Sequence, residues 1–314
     1  MAKSKTRRPP ARRSVQHPQK KTEERRLLTP SRILWLAIIV VAASGAFLIA
    51  KQQAQGPSEV VEPPAAGLPN TPDYHSLLVD PADPDKVFLG THAGLYETTD
   101  GGRSWRTAEL PGQDAMNLAR TPARTVWAAG HNVLAKSEDG GATWSDVRPE
   151  GLPGLDVHGF AADPKDASRL YAAVAGEGLY TSTDGGRSFE LVSKDVGPNV
   201  FGLAVTPEGR ILAADPGQGL LASRDGGKTW QVAFEGSVVG VAVNSADPNT
   251  ILATGPGILL STDGGASWRE VQAIADGAGP VAWSPSDPKV GYVVGIDRTL
   301  YRTGDSGASW ETVG

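Results

Sequence analysis

The chain has 314 residues, no cysteine and a net charge of −5. Lack of cysteine excludes disulfides, zinc–thiolate sites and a cysteine nucleophile. The charge is uneven, because residues 1–32 carry eleven Lys/Arg against two Glu, a balance of +9 that leaves −14 for the remainder. Such an acidic body cannot attract phosphates by counterion release, so we expect no nucleic-acid partner.

Residues 33–50, ILWLAIIVVAASGAFLIA, form an uncharged apolar segment after the basic tail of residues 1–32. Its length is at the lower edge of what a helix needs to span a bilayer. The excess of Lys/Arg before it predicts a cytoplasmic N-terminus and a body outside the cytoplasm. A cleaved signal peptide is the alternative, since Ser44-Gly45-Ala46 resembles a cleavage site, and the protein would then be secreted. We favour an uncleaved transmembrane signal anchor, because the apolar run continues to Ala50.

Residues 51–73 are rich in proline and show little periodicity. This composition is typical of an extended linker. We therefore expect the folded domain to comprise residues 74–314.

An octapeptide of the form STDGGASW occurs six times in that domain. Its aspartates recur at intervals of 38 to 45 residues, and a period near 40 is typical of propellers or solenoids. The six aspartates are Asp100, Asp139, Asp184, Asp225, Asp263 and Asp305.

The residues between the octapeptides decide between these architectures. The unit from residue 76 to 108 contains four short apolar runs, SLLVD, KVFLGT, LYETT and WRTA, separated by turns rich in Gly, Pro and Asp. This pattern predicts a four-stranded antiparallel meander. Six such units predict an all-β, six-bladed propeller with each blade built from contiguous sequence. Packing between blades one and six would close the ring, unless the linker segment Ser58–Glu62 adds a strand.

The octapeptide falls between the third and fourth strands, so we interpret it as a hairpin loop. Its aspartate can accept hydrogen bonds from backbone N–H groups, its glycines permit positive φ, and its aromatic residue can pack between blades. A catalytic loop would be present once, so six copies favour a structural role.

The pattern [ST]-x-D-[GS]-G-x-[TS]-[WF] resembles the Asp-box, or BNR repeat. This repeat occurs in sortilin-type receptors, xyloglucan-cleaving hydrolases, photosystem II assembly factors and sialidases. Added elements such as DPxDPxxVF and GLYxTTDGG are more similar to the first three groups than to sialidases. The resemblance covers nearly all of residues 75–314 and implies the propeller fold, whereas one fold hosts many activities.

Function on a repetitive scaffold usually lies in its non-repetitive loops. Here these loops are the turns between second and third strands and the links between blades, which we call the variable face. The candidate binding residues on this face are His75, His92, His131, His158 and Arg298. The histidines come from blades one, two and three, so convergence is conceivable, but their spacing does not indicate it, and we predict no metal or cofactor.

Carboxylates on the variable face are the candidates for catalysis, since a glycosidase needs two of them across a cleft. Those singled out are Asp156, Glu177, Asp215 and Asp297. No catalytic set is identifiable, and the arginine trio and Phe-Arg-Ile-Pro stretch of sialidases are absent. We therefore expect a non-enzymatic binding or assembly scaffold for a protein or cell-envelope glycan, with glycoside hydrolysis of the xyloglucanase or sialidase kind as the alternative.

Overall fold

A computed structural model describes residues 67–110, 114–196 and 199–314. The predicted signal anchor and linker residues 51–66 lie outside these ranges. Within them the structure has strands and turns, and no helix there is long and apolar enough to cross a membrane.

The described residues form 24 strands, which we number in chain order and group by blade. Blade 1 has β1 (Ser76–Val79), β2 (Val87–Thr91), β3 (Gly94–Thr98) and β4 (Arg106–Ala108). Blade 2 has β5 (Asn117–Arg120), β6 (Val126–Gly130), β7 (Val133–Ser137) and β8 (Ser145–Asp146). Blade 3 has β9 (Val157–Ala162), β10 (Leu170–Val174), β11 (Gly178–Ser182) and β12 (Glu190–Ser193).

The second half of the ring repeats this plan. Blade 4 has β13 (Gly202–Val205), β14 (Ile211–Asp215), β15 (Gly219–Ser223) and β16 (Gln231–Phe234). Blade 5 has β17 (Gly240–Val243), β18 (Ile251–Thr254), β19 (Gly257–Ser261) and β20 (Arg269–Ala273). Blade 6 has β21 (Ala278–Trp283), β22 (Gly291–Gly295), β23 (Leu300–Thr303) and β24 (Glu311–Val313).

Each blade is one antiparallel sheet whose four strands pair in chain order. The first strands line the centre and contact one another around a complete ring, from β1 through β5, β9, β13, β17 and β21 back to β1. The predicted six-bladed propeller with contiguous four-stranded blades is therefore confirmed.

The apolar core is divided into six clusters, one at each boundary between neighbouring blades. The second strand of every blade is buried along its whole length, whereas the fourth strands are largely exposed. Small side chains such as Ala128, Ala172 and Ala213 let neighbouring sheets approach closely.

Each octapeptide forms the turn from third to fourth strand through its own side chains. In the fifth copy, the Ser261 hydroxyl donates to Asp263 Oδ1 at 2.8 Å and accepts the Gly265 N–H at 2.7 Å. Asp263 also accepts the backbone N–H of Ser267 at 2.9 Å and its hydroxyl at 2.5 Å. The carboxylate is thus occupied within its own loop.

The two glycine positions of the octapeptide meet different demands. Both have positive φ, for example +77° at Gly226 and +94° at Gly227. A Cβ at Gly226 would meet nothing within 4 Å, whereas one at Gly227 would lie 2.4 Å from Cδ2 of Leu179 in the preceding blade. The last copy has Ser306 at the first position with φ +63°, and keeps Gly307 at the second. The tolerance of serine follows from the open space at the first position.

Blades 1 and 6 meet without a shared strand in the described residues. Leu68 and Tyr74 pack on the cluster between them, and the Gly67 N–H donates to the Arg103 carbonyl at 3.1 Å. The Tyr292 hydroxyl of blade 6 donates to the Pro84 carbonyl of blade 1 at 3.0 Å. Face packing closes the ring here, and residues 67–73, which composition assigned to the linker, already lie against the propeller. The segment Ser58–Glu62 lies outside the described residues.

The glycine pair predicts unequal effects of the same substitution. Gly227→Ala should lower the free energy of unfolding by about 2–5 kcal/mol, because it combines left-handed strain with overpacking against buried Leu179. Gly226→Ala should cost only about 1–2 kcal/mol, from strain alone. Urea denaturation of both variants measures the difference. Equal losses would show that close packing at the second glycine does not limit stability.

The octapeptide aspartates predict a defined acid transition. Hydrogen bonds from the Ser267 hydroxyl, the Ser267 N–H and the Ser261 hydroxyl lower the pKa of Asp263 from its ordinary 3.8 to about 2. A carboxyl whose pKa is lower in the folded state stabilises the fold above its unfolded pKa, and this contribution is lost as the pH falls through the folded pKa. The melting temperature should therefore fall between pH 3.8 and about 2. Asp263→Asn should reduce that slope, and an unchanged slope would contradict the assignment.

Candidate functional site

The histidines of the variable face occupy two kinds of equivalent position. His92 and His131 each follow the last residue of a second strand, β2 and β6. His75 and His158 each lie at the start of a first strand, β1 and β9. Because blades 1, 2 and 3 are neighbours in the ring, these positions form one arc at the mouth of the central channel.

Three aspartates also hold equivalent positions in blades 1 to 3. They begin the tripeptides DYH, DAM and DVH that lead into the first strand of each blade. With the histidines they form a continuous set that we call the His/Asp row, which consists of Asp73, His75, His92, Asp114, His131, Asp156 and His158.

The blade 1 end of the row is a paired carboxylate. Asp73 Oδ1 lies 3.2 Å from His75 Nε2, and Asp73 Oδ2 accepts a short hydrogen bond from His92 Nδ1. His75 Nε2 and His92 Nδ1 are 2.8 Å apart. Both oxygens of Asp73 are therefore engaged by histidines.

The blade 2 and blade 3 end is arranged around His131. Its Nδ1 donates to Asp114 Oδ2 at 2.6 Å, and its Nε2 lies 3.3 Å from Asp156 Oδ1. The same Asp156 oxygen is 3.0 Å from His158 Nε2, and the two Nε2 atoms are 3.2 Å apart. The His158 ring stacks on Phe201 of blade 4 with centroids 5.7 Å apart.

Local backbone geometry fixes this end of the row. Residues 131 and 156 face one another in an antiparallel bridge, and the Asn132 N–H donates to the Leu155 carbonyl at 2.8 Å. Asn132 adopts φ +60°, the left-handed conformation that asparagine tolerates in a tight turn. The turn after β6 is thereby held against the link that enters β9.

Burial and charge move the pKa values of the row in different directions. The hydrogen bond to Asp114 raises the pKa of His131, whereas burial lowers the pKa of His158. Burial opposes ionisation of Asp73 and charging of His92. Hydrogen bonds from His75 and His92, together with their charges, outweigh burial at Asp73, so its pKa lies well below its ordinary value. The hydrogen bond to Asp73 and the charges of Asp114 and Asp73 outweigh burial at His92 and raise its pKa. The row thus holds histidines whose pKa values are shifted in opposite directions.

The other predicted candidates lie away from the row. Asp215 is buried at the end of β14 and accepts the N–H groups of Gly217 and Gln218 at 2.8 and 3.1 Å, so it caps its own turn. Glu177 is exposed in the turn between β10 and β11. Among the four carboxylates proposed for catalysis, the structure places only Asp156 in the row.

Arg298 and Asp297 share the turn between β22 and β23 in blade 6. Arg298 Nη1 donates to Asn70 Oδ1 at 2.9 Å, and Asp297 accepts the Tyr301 hydroxyl at 2.9 Å. Ile296 beside them has 54% of its surface exposed. This turn adds an apolar and a cationic side chain to the variable face.

The long link from 147 to 157 departs from the sequence-based assignment to the variable face. Its middle turns back along the outer edge of blade 3, where the Phe189 N–H donates to the Glu150 carbonyl at 2.9 Å. A Cβ at Gly151 would lie 2.0 Å from the Phe189 carbonyl oxygen. Only the end of this link, which carries Asp156, contributes to the row.

Asp73 was not predicted as a site residue, and the sequence did not indicate that the histidines meet. The signal was the D-x-H and D-x-M tripeptides at equivalent points of three consecutive units. Among the residues that the structure describes, three sets have donor atoms within 4.8 Å of one another, a spacing that one cation could bridge. These sets are Asp73 with His75 and His92, His92 with Asp114 and His131, and His131 with Asp156 and His158.

A family model described as "Photosynthesis system II assembly factor YCF48" matches residues 73–218. This range covers blades 1 to 3 and the start of blade 4, and it contains the whole His/Asp row.

Curated proteins of two kinds are similar to the chain. A xyloglucanase of Paenibacillus sp. is 29% identical over 37% of this chain and 16% of its own length. The Photosystem II assembly lipoprotein Ycf48 of Synechococcus sp. (strain CC9902) is 31% identical over 42% of this chain and 41% of its own length. The chain therefore spans less than half of each of these relatives.

Solved structures of the same two kinds share the fold. The GH74 xyloglucanase from Xanthomonas campestris has a TM-score of 0.57 at 18% identity, covering 81% of this chain and 46% of that one. YCF48 bound to D1 peptide has a TM-score of 0.50 at 18% identity, covering 83% and 85%. YCF48 from Cyanidioschyzon merolae has a TM-score of 0.51 at 16% identity, covering 81% and 87%. At these identities the likeness concerns the fold alone.

The His131–Asp114 pair predicts a measurable coupling. Asp114→Asn should lower the pKa of His131, because it removes the carboxylate that accepts the Nδ1 proton. Titration of the histidine Cε1 protons by NMR, in the presence of a chelator, measures the change. Asp297→Asn in blade 6 is the control and should leave the pKa of His131 unaltered. The same pKa in Asp114→Asn and the unsubstituted chain would contradict the pairing.

Proposed function

Given an Asp-box propeller that resembles Ycf48 assembly factors and GH74 xyloglucanases, we propose that the chain binds a protein partner through its variable face and acts as an assembly scaffold. The observation that carries this proposal is the concentration of histidine and aspartate side chains in one sector of that face, the His/Asp row.

The two faces differ in what they offer a partner. On the face that carries the octapeptides, each Asp-box aspartate is occupied by hydrogen bonds within its own loop. The variable face presents the His/Asp row in blades 1 to 3, and it presents Arg298 and exposed Ile296 in blade 6. Polar groups that fix orientation beside an apolar anchor are typical of protein interfaces.

The relatives support a protein partner. One similar protein is named an assembly lipoprotein, and a fold neighbour was solved bound to a peptide. The family model also covers the blades that carry the row. A rigid ring with a single specialised sector suits the presentation of one peptide segment.

We also propose that the propeller is tethered to a membrane and faces the outside of the cytoplasm. The support is the apolar segment 33–50 after a tail with eleven Lys/Arg. A tethered scaffold would hold its partner at the membrane surface. Carbonate washing of membranes tests this part separately, since a secreted form would be released.

Glycoside hydrolysis is the second candidate, because xyloglucanases are among the relatives. Against it, Asp215 and Asp297 accept hydrogen bonds in their own turns, and the row's carboxylates contact histidines. A hydrolase needs one protonated and one ionised carboxyl facing a sugar from opposite sides. Carboxyls already engaged by neighbouring groups are less suited to these two roles.

Substitutions on the two faces should separate binding from folding. With the full-length chain as bait, capture of partners from the membrane fraction of the source cells is quantified by mass spectrometry. Ile296→Asp should reduce recovery of the specific partner roughly tenfold or more, since it puts a charge where the partner would bury an apolar side chain.

Val232→Asp is the matched control, because Val232 on β16 is 52% exposed and lies outside the variable face. It should leave capture unchanged. Equal recovery with both variants would mean that the variable face is the wrong surface. Release of reducing sugar from xyloglucan, lost on Asp156→Asn, would instead support the hydrolase.

A further inference from the structure

Three donor atoms at the boundary of blades 2 and 3 form a nearly regular triangle. They are His131 Nε2, His158 Nε2 and Asp156 Oδ1, and the sides measure 3.2, 3.0 and 3.3 Å. Ligands held 2.0–2.1 Å from one ion lie roughly 2.9–3.4 Å apart in octahedral or tetrahedral arrangements. We propose that these three residues bind one divalent transition-metal ion of the Zn²⁺ type.

The ligand types favour this class of ion. Two imidazole nitrogens and one carboxylate oxygen suit Zn²⁺ and neighbouring transition metals, whereas Ca²⁺ and Mg²⁺ take oxygen ligands. Both histidines present Nε2, and a carboxylate oxygen lies on the same side.

Asp114 supplies the outer contact that metal-bound histidines commonly have. It accepts the Nδ1 proton of His131 at 2.6 Å, and thereby turns the Nε2 lone pair toward the triangle. The side chain of Asp114 is 13% exposed, and its buried Oδ1 has no hydrogen-bond partner within the described residues. A buried carboxylate is costly unless positive charge lies nearby. A divalent ion on the far nitrogen of His131 would supply that charge.

The charge of the whole row also favours a bound cation. Within residues 67–110, 114–196 and 199–314, the ion-pair partners of Asp73, Asp114 and Asp156 are histidines, and no Lys or Arg contacts these carboxylates. Three carboxylates thus depend on imidazoles alone for neutralisation. A cation at the triangle would balance the end of the row where Asp114 and Asp156 lie.

The blade 1 end is less suited to an ion. There Asp73 uses its two oxygens for two different histidines, and Oδ1 also accepts the His92 N–H at 3.2 Å. It therefore forms a completed set of hydrogen bonds. At the other end, one oxygen of Asp156 faces both Nε2 atoms, and its side chain is 54% exposed, which leaves a path for an ion and room for a further ligand.

The test uses the purified full-length chain, stripped of metal with a chelator that is then removed. Calorimetric titration with Zn²⁺ should give one site per chain, and Mg²⁺ should give no saturable binding. The melting temperature should rise with Zn²⁺ concentration, as mass action requires for a ligand of the folded state. Asp156→Asn should abolish the site. Asp114→Asn should retain it with affinity roughly 10–100-fold weaker.

His75→Gln is the matched control at the blade 1 end and should bind Zn²⁺ like the unsubstituted chain. Because Asp156 is exposed, its variant should fold, and circular dichroism of every variant without metal checks this. No saturable Zn²⁺ binding, or binding unaltered by Asp156→Asn, would overturn the proposal, as would a site lost on His75→Gln alone. The outcome is independent of the capture experiment, since neither Ile296 nor Val232 belongs to the triangle.

Discussion

The packing of one four-stranded sheet against the next is the interaction on which the ring depends. Each sheet is complete within its blade, so neighbouring blades are held mainly by the apolar clusters between them. The octapeptide serves this packing twice, because its aromatic residue enters a cluster and its second glycine lets the loop approach the preceding blade. Turn chemistry and blade association are therefore parts of one structural unit.

The same packing brings the row together. His131 and His158 are 27 residues apart in sequence, yet their rings meet because the turn after β6 and the entrance to β9 lie side by side across a blade boundary. A propeller thus converts a short pattern repeated in successive blades into an arc of side chains. Blades 4 to 6 do not repeat the pattern, so the arc ends at Phe201 and the ring has one chemically distinct sector.

The fold could be predicted from the sequence. For the candidate site, the sequence indicated only the face of the propeller on which it lies. The six octapeptide turns can be recognised in the sequence, because the hydrogen bonds of each turn join residues within eight positions. Contacts across blades depend on register and link path, which composition does not reveal. Asp73 was therefore assigned to the linker because of its proline-rich surroundings. The link from 147 to 157 was assigned to the variable face, whereas its middle runs along the outer edge of blade 3. Asp215 shows the converse, because it was predicted as a site residue and its carboxylate instead accepts hydrogen bonds within its own turn.

The serine at position 306 has a consequence for how such proteins diverge. The first glycine of the octapeptide is constrained only by its positive φ. A residue that tolerates the left-handed region can therefore replace it during evolution. The second glycine is constrained both by its positive φ and by the lack of space for a side chain, so its replacement requires a compensating change in another blade. A search pattern that demands both glycines would count five repeats in this chain. Ancestral blade number is better read from the second glycine and the aromatic residue.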